Sequence, residues 1–405
     1  MLSTLIYRSR IRQPLRDEAL DQLMLSARQR NGAMHVTGIL LFDGRHFVQL
    51  LEGPDEAPRR LYESIRRDAR HDNVVQLLHD HAPIRRFEGD QMAMLDLRNQ
   101  GPEGVLSAIL GKMPKGSHLA GSDDRVLKIL QEYAKARWTD HIVEGDDAAN
   151  WRLTDTGPAP AQRLIPGQAF QFALQPIVDP LRREITSFEF LVRSPSGGSP
   201  QQLFASLPAE QRYQADLQSK ISAFRLANRL GIKDNVKLSV NLFPMSLISI
   251  PHAVDSLLEQ IAASGLLPGQ VIVEITEEEA ISCLDAFRAA ITRLRKAGIG
   301  VAIDDFGAGF AGLSLLAEFQ PDKLKIDRGI IQGIHIDGPR QAIVRATLHA
   351  CAAMGITPVA EGVESIEEWC WLQAAGIRRF QGYLFARPAL NCIPGVQWPQ
   401  RCAVA

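Results

Sequence analysis

In the second half of this chain, ionisable and amide side chains recur within or at the ends of short β-rich runs: Glu189, Asn241, Glu274, Asp304, Asp305, Lys325, Glu361 and Gln381. Taken singly, an acid at a strand end is usually a solvated loop residue. Five carboxylates converging on one place would repel strongly, and divalent cations are the natural compensation. Oxygen donors without His or Cys favour Mg²⁺ or Mn²⁺ over zinc. Adjacent Asp304 and Asp305 can touch two ions, and two ions about 3.5–4 Å apart suit phosphodiester hydrolysis by activating water and neutralising charge. Lys325 supplies a point charge to hold the attacking water or stabilise the transition state; its alternative role is a structural ion pair with one of the acids. The glycines of Gly307-Ala-Gly-Phe-Ala-Gly312 suit a tight loop directly after the acid pair. Near the start, Tyr7, Asn31 and Gln49 offer a phenol and two carboxamides. They suit a hydrogen-bonded row against a planar heteroaromatic ligand, with Gln49 both donating and accepting. The plainer alternative is strand packing for Tyr7 and solvent for Gln49.

The elements that must position the carboxylates are eight β-rich runs separated by helical stretches. These are Phe170–Val178, Thr186–Arg193, Val236–Leu242, Val271–Thr276, Gly300–Phe306, Lys323–Asp327, Thr357–Gly362 and Arg379–Phe385. The pattern predicts a TIM-type barrel, in which side chains at the C-terminal strand ends meet at one site. Only Asp179 to Ile185 separates the first two runs, too little for a parallel crossover. The barrel is therefore expected to be modified by one antiparallel strand.

The first part reads as a compact α/β unit. A strand over Leu2 to Arg8, a helix over Asp17 to Gln29, a hairpin turning at Asp43-Gly44, a helix over Pro58 to Arg67 and strands near Val74 and Met92 follow one another. Residues 101–150 read as helical, with Ser122 as N-cap and Val126, Leu127, Leu130, Tyr133, Ala134 and Trp138 forming one apolar stripe. Residues 154–168 are rich in Pro and Gly and read as a linker. The expected division is 1–98, 99–153, 154–168 and 169–405.

Composition narrows the function classes. The 405 residues are 45% hydrophobic, with 45 Lys plus Arg against 46 Asp plus Glu, a net charge of −1. That balance argues against a general binder of nucleic-acid polymers or anionic membranes. No apolar run approaches the ~20 residues of a membrane span. The start lacks a secretory h-region, and the five cysteines, all in the second half, form no C-x-x-C pair. A reduced, cytoplasmic protein without membrane insertion is the expectation. No G-x-G-x-x-G site supports a pyridine-nucleotide oxidoreductase.

Glu189-Phe-Leu-Val-Arg193, Ser239-Val-Asn241, Glu274-Ile-Thr-Glu277, Asp304-Asp-Phe-Gly307, Lys325-Ile-Asp327, Ala360-Glu-Gly-Val-Glu364 and Gln381-Gly-Tyr383 together resemble the EAL-domain cyclic di-GMP phosphodiesterases over residues 168 to 395. The resemblance implies a barrel that hydrolyses cyclic di-GMP to linear pGpG with two Mg²⁺ or Mn²⁺ ions. It implies that Glu189, Asn241, Glu274, Asp304, Asp305 and Glu361 hold the metals or their waters, and that Lys325 assists the nucleophilic water. Gln175, Arg193 and Gln381 are expected to touch substrate. Glu277 is expected to brace the Asp304–Gly312 loop, where contacts of a homodimer through this domain could be felt by the metals. Two positions depart from the family pattern. Phe190 replaces the signature Ala and should face the outer helices, since strand neighbours point oppositely. Phe243 replaces a usual Ser in the turn after Asn241. The complete metal set with Lys325 favours an active enzyme over the alternative, a catalytically silent cyclic di-GMP receptor signalling to a protein partner.

Tyr7, Asn31 with Val36-Thr-Gly38, Asp43-Gly44 with Phe47, Gln49-Leu-Leu-Glu-Gly53, Arg86-Phe87 and Met92 resemble the BLUF family of blue-light flavin sensors over residues 2 to 95. That resemblance implies a ferredoxin-like α+β domain holding FAD or FMN between two helices. Tyr7, Asn31, Gln49 and Met92 are then the flavin-site residues, with Gln49 reporting excitation through rearranged hydrogen bonds. Asp90 stands where the family often has Trp. The combined expectation is a blue-light-regulated cyclic di-GMP phosphodiesterase.

Overall fold

A computed structural model describes residues 2–54, 56–82, 85–89, 91–98, 102–113, 124–135, 143–154, 161–205, 207–232, 235–276, 284–309, 316–317 and 320–402. The chain forms two compact units. One comprises Met1–Glu144 with Gly333–Ile343, the other Gly145–Gln332 with Val344–Ala405.

In the first unit the order is β1 (Leu2–Ile11), α1 (Asp17–Ala33), β2 (Thr37–Phe42), β3 (His46–Pro54), α2 (Ala57–Arg66), β4 (His71–Ala82), β5 (Ala93–Asp96), α3 (Pro102–Gly111) and α4 (Arg125–Lys135). The sheet order β4-β1-β3-β2-β5 is ferredoxin-like with one added strand, and β5 runs parallel to β2. Alternating side chains give the sheet two apolar faces. Tyr7, Leu40, Phe47 and Leu51 pack under α1 and α2 with Leu20, Met24, Leu61 and Ile65. Ile6, Ile39, Val48 and Leu50 meet Ile109, Val126, Leu127 and Leu130 of α3 and α4. The expected hairpin turns at Asp43-Gly44, where Gly44 takes φ +101 and Asp43 Oδ1 accepts from the Arg45 and His46 amides.

One expectation falls in part outside the described residues, and one needs correction. Ser122 and Trp138 lie outside the described residues, and Asp124 performs the capping, accepting from Leu127 N at 3.0 Å. The helical reading of 101–150 also runs too far. Residues 143–147 are non-helical, and a 3₁₀ turn at Ala148–Asn150 leads directly into a strand.

The second unit comprises β6 (Trp151–Leu153), β7 (Gln171–Asp179), β8 (Glu184–Arg193), α5 (Pro200–Ala205), α6 (Ala209–Arg229), β9 (Lys237–Asn241), α7 (Pro244–Ser249), α8 (Ala253–Ala263), β10 (Val271–Thr276), α9 (Leu284–Lys296), β11 (Gly300–Phe306), β12 (Lys323–Ile326), α10 (Arg328–Ile331), α11 (Gly338–Met354, entered from the first unit), β13 (Thr357–Ala360), α12 (Ile366–Ala374), β14 (Arg379–Phe380), β15 (Ala389–Leu390) and β16 (Pro399–Arg401). Strands β7 to β14 form one ring, closed by β14 against β7 at Phe380 and Val178. Neighbours from β8 to β14 pair in parallel, while β7 and β8 form the expected antiparallel hairpin. This is a TIM-type barrel with one reversed strand, plus β15 added at the edge of β7.

The last run, expected over Arg379–Phe385, keeps only two residues as strand. Gly382 bends against Val363, where an added Cβ would lie 2.1 Å from the Val363 carbonyl oxygen. Short strands β6 and β16 pair with each other and carry too few residues to register as alternation. No described helix is long and apolar enough to cross a membrane.

Candidate active site and chromophore pocket

Pleating aims the chemistry inward. On β8, Phe188 and Phe190 join the apolar layer between barrel and helices, with Phe190 against Phe172 at 6.1 Å between ring centroids. Glu189, one residue out of phase, therefore faces the barrel axis and is 4% exposed. The same alternation turns Asn241, Glu274, Asp304 and Lys325 inward from β9, β10, β11 and β12, while Glu361 follows the last residue of β13. All but the buried Glu274 line one open pocket of 440 Å³, with Gln175, Asp305 and Gln381.

Lys325 Nζ occupies the centre. It stands 2.8 Å from Glu274 Oε2, 2.8 Å from Glu361 Oε1, 3.0 Å from Asp304 Oδ1 and 3.4 Å from Glu189 Oε2. Burial works against its charge, but the surrounding acids hold its proton affinity well above the ordinary lysine value. The acids move up as well. Burial, then repulsion from Glu189 and Asp304, pushes Glu274 to about 7. Burial and repulsion from Asp304 push Asp305 to about 6, and burial with Asp304 drives Glu361 well above the carboxylate range. One ammonium is too little positive charge for this set.

The donor arrangement fits divalent ions. Glu189, Glu274 and Asp304 offer oxygens all within 4.8 Å of one another, and so do Asp304, Asp305 and Glu361. Asp304 belongs to both groups. Glu274 Oε1 is buried without a hydrogen-bond partner among the described residues, the state of a donor awaiting a cation. Asp305 reaches its place through a left-handed backbone, φ +53, a conformation Asp tolerates better than most residues.

Amides complete the wall. Asn241 Nδ2 donates to Glu189 Oε1 at 2.9 Å, and Gln381 Nε2 donates to Glu189 Oε2 at 2.6 Å and Gln175 Oε1 at 3.0 Å. Arg193 does not line the pocket but lies within electrostatic reach of Glu189 and Tyr383, which do; its guanidinium donates to the neighbouring Val192 carbonyl at 2.9 Å. Glu277 and residues 310–312 of the glycine loop lie outside the described residues. Phe243 does not displace Asn241. Its ring packs edge-on against Phe204 at 5.3 Å, and its amide donates to Asp216 Oδ2 at 3.1 Å. Asp216, also bound to Ser246 Oγ and Lys220 Nζ, was not flagged by the sequence, because only the fold brings α6 against the turn after β9. Arg328 of the pocket rim was missed likewise, while Glu364 and Tyr383, quoted within their motifs, were given no role there although both line the pocket.

In the first unit, Tyr7 and Gln49 are direct partners across β1 and β3, so their side chains share one face. The Tyr7 hydroxyl donates to Gln49 Oε1, and Gln49 Nε2 points to Met92 Sδ at 3.2 Å. Burial drives the Tyr7 hydroxyl far above its ordinary value, keeping it a neutral donor. Tyr7 and Gln49 line a slot between α1 and α2 with Leu23, Phe47, Ile65 and Arg30. Apolar walls, a polar floor and a cation at the rim fit a planar, phosphate-bearing heterocycle. Asn31 does not line the slot. It is 1% exposed and donates to Gln91 O at 2.9 Å, anchoring the segment that carries Met92. Glu52 accepts from the Arg86 and Phe87 amides, which accounts for that pair of motifs. Asp90 lies outside the described residues.

Comparisons with known proteins agree with both geometries. Residues 160–388 match the EAL domain family, and residues 2–93 match the family of sensors of blue light using FAD. The chain is 44% identical over 405 residues to the blue light- and temperature-regulated antirepressor BluF of Escherichia coli K12, covering 99% of this chain and all of that one. It is similar to Klebsiella pneumoniae BlrP1 in its complex with calcium and cyclic di-GMP, with 45% identity, a TM-score of 0.91, and coverage of 99% and 100% of the two chains. Over 155 residues it is 37% identical to the cyclic di-GMP phosphodiesterase RocR of Pseudomonas aeruginosa, 38% of this chain and 39% of RocR.

Proposed function

This chain belongs to the EAL domain family, with a BLUF domain ahead of the barrel, and on that premise we propose that it hydrolyses cyclic di-GMP to linear pGpG under blue-light control. The observation that carries the reading is the pair of oxygen triads sharing Asp304 around Lys325.

In this reading Glu189, Asn241, Glu274 and Asp304 would hold one divalent ion, and Asp304, Asp305 and Glu361 a second, Mg²⁺ or Mn²⁺. Such ions supply an activated water and neutralise phosphate charge. Lys325, at the centre of these acids, would orient the attacking water and stabilise charge developing on the phosphate. Gln175 and Gln381, already bonded to each other, present amides to the substrate, and Arg193 turns from Val192 to reach it. Glu277 is assigned to bracing the loop after Asp305. Cations would thus reverse the upward shifts of the acids, since a bound ion favours deprotonated ligands.

The front domain would hold FAD or FMN in the slot lined by Tyr7 and Gln49, with Met92 against the Gln49 amide and Asn31 anchoring the segment that carries Met92. Bound flavin supplies blue-light absorption. Gln49, accepting from Tyr7 and facing Met92, is placed to exchange hydrogen bonds when that absorption occurs. The domains are assigned as residues 1–98 for the sensor, 99–153 for a connector, 154–168 for a linker and 169–405 for the enzyme. The reading includes a cytoplasmic homodimer formed through the EAL-type domain, acting on a dinucleotide and on no nucleic-acid polymer.

One finding favours a second reading. The full-length relative BluF carries the name of an antirepressor, which suits a silent cyclic di-GMP receptor passing its state to a protein partner. A turnover assay separates the two. Full-length protein with Mg²⁺ or Mn²⁺ should convert cyclic di-GMP to pGpG at rates that differ between dark and light. Tight binding without product, in both, would replace the enzyme with the receptor.

A further inference from the structure

The barrel has a second pocket at the opposite ends of its strands. It measures 770 Å³ and is lined by Lys237, Lys323, Thr357 and Arg379, the first residues of β9, β12, β13 and β14, together with Arg183 and Glu184 at the start of β8. In barrels of this type the strand-start face ordinarily serves stability. A cleft there carrying four cations needs another explanation.

The charges do not cancel within the pocket. Arg379 is satisfied by the buried Asp179, with Nη1 2.6 Å from Oδ2. Glu184 is exposed at the rim. Among the described residues no carboxylate pairs with Lys237 or Lys323. The partner found for the partly buried Lys323 ammonium is the Ser187 hydroxyl, at a long 3.3 Å. Burial first, and then repulsion from Lys237, Arg379 and Lys325, lowers the Lys323 proton affinity to about 8, although Glu274 acts the other way. A half-sequestered ammonium with one weak neutral partner lacks compensation for its lost water. An anion would supply it.

Beside the cations the wall is apolar: Ile232, Ile393 and Trp398 line the same pocket. Its volume falls in the range of small-molecule sites, roughly 300–1,000 Å³. We propose that the strand-start pocket binds a phosphate monoester attached to a planar ring, a nucleoside monophosphate, with the phosphate at Lys237 and Lys323 and the ring against Trp398. This site is separate from the carboxylate pocket, where a bare phosphate meets negative charge.

The test is a calorimetric titration of the full chain, flavin-loaded and in the dark, with GMP, AMP, guanosine and inorganic phosphate. EDTA is present so that no ion bridges phosphate to the carboxylate pocket. The expected result is one equivalent of GMP or AMP per chain, bound more tightly than either phosphate or guanosine. Lys323→Met and Lys237→Gln should each weaken binding about tenfold, the loss of one charge-assisted hydrogen bond. Trp398→Leu should weaken GMP and leave phosphate unchanged. Should Lys323→Met fail to fold, exposed Lys237 decides alone. The proposal is overturned if no nucleotide binds at millimolar concentration, if phosphate binds as tightly as GMP, or if binding is indifferent to Lys237→Gln.

Discussion

Lys325 Nζ and Glu361 Oε1 lie 2.8 Å apart, joining β12 to the residue that follows β13, and the same nitrogen reaches three further acids. Without divalent ions this ammonium is the cation holding the cluster together. Lys325→Met should therefore lower the melting temperature in EDTA, by a loss of about 3 kcal/mol, the scale of breaking a buried pair. Mn²⁺ should restore the melting temperature but not turnover, which should stay down about a hundredfold or more. A variant that regains full turnover with Mn²⁺ would reduce Lys325 to a structural ion pair.

The acid cluster fixes a pH dependence. Glu274, raised to about 7, and Asp305, raised to about 6, bind more protons in the folded chain than in the unfolded one. Their contribution to stability is complete below the ordinary carboxylate values near 4 and is lost as pH rises through about 6 to 7. Metal-free protein should lose stability across that window, while Mn²⁺ affinity rises as protons leave. Melting curves in EDTA and Mn²⁺ titrations at pH 5.5, 6.5 and 7.5, roughly bracketing those values, check both signs. Affinity flat with pH would mean that these acids are not the ligands.

Much of this site was legible because barrel geometry is regular. Glu189, Asn241, Glu274, Asp304, Lys325 and Glu361 each lie within or at the end of a β-rich run, and strand ends converge whatever helices lie between. What escaped notice depends on contacts without sequence period. Asp216 sits mid-helix in α6 and gains meaning only where α6 meets the turn after β9. Strands β6 and β16 are three residues each, and lie far apart in the chain, so neither shows alternation. Arg193 has the right register on β8, yet its long side chain folds back to Val192, a rotamer that no pattern encodes.

Gln49 joins Tyr7 to Met92 through its two amide atoms, so replacing it separates sensing from catalysis. Gln49→Leu should abolish the light-induced shift of the flavin absorption band and bring the ratio of light to dark turnover to one. Dark turnover itself should be unchanged, because Gln49 is not among the described residues that line the carboxylate pocket. Tyr7→Phe removes the donor at the other end and should act alike. A Gln49→Leu protein that still changes turnover on illumination would break the link.

The turn after Asn241 offers a test of what keeps a ligand in place. Phe243 contributes apolar packing against Phe204 and Tyr213, at 5.3 and 6.5 Å between ring centroids. Asp216 contributes direction, holding the Phe243 amide, Ser246 Oγ and Lys220 Nζ at 3.1, 2.8 and 2.6 Å. Phe243→Ser should cost about 2 kcal/mol, below the 3–5 of a fully buried ring, and leave Mn²⁺ affinity intact. Asp216→Ala strands the buried Lys220 and should cost about 3 kcal/mol. It also frees the backbone directly after Asn241, so Mn²⁺ affinity should fall about tenfold, within the 10–100-fold range for groups that orient a ligand. Urea unfolding and Mn²⁺ titration of the two variants read these effects separately. If Phe243→Ser weakens Mn²⁺ as much as Asp216→Ala does, packing and not the carboxylate positions Asn241.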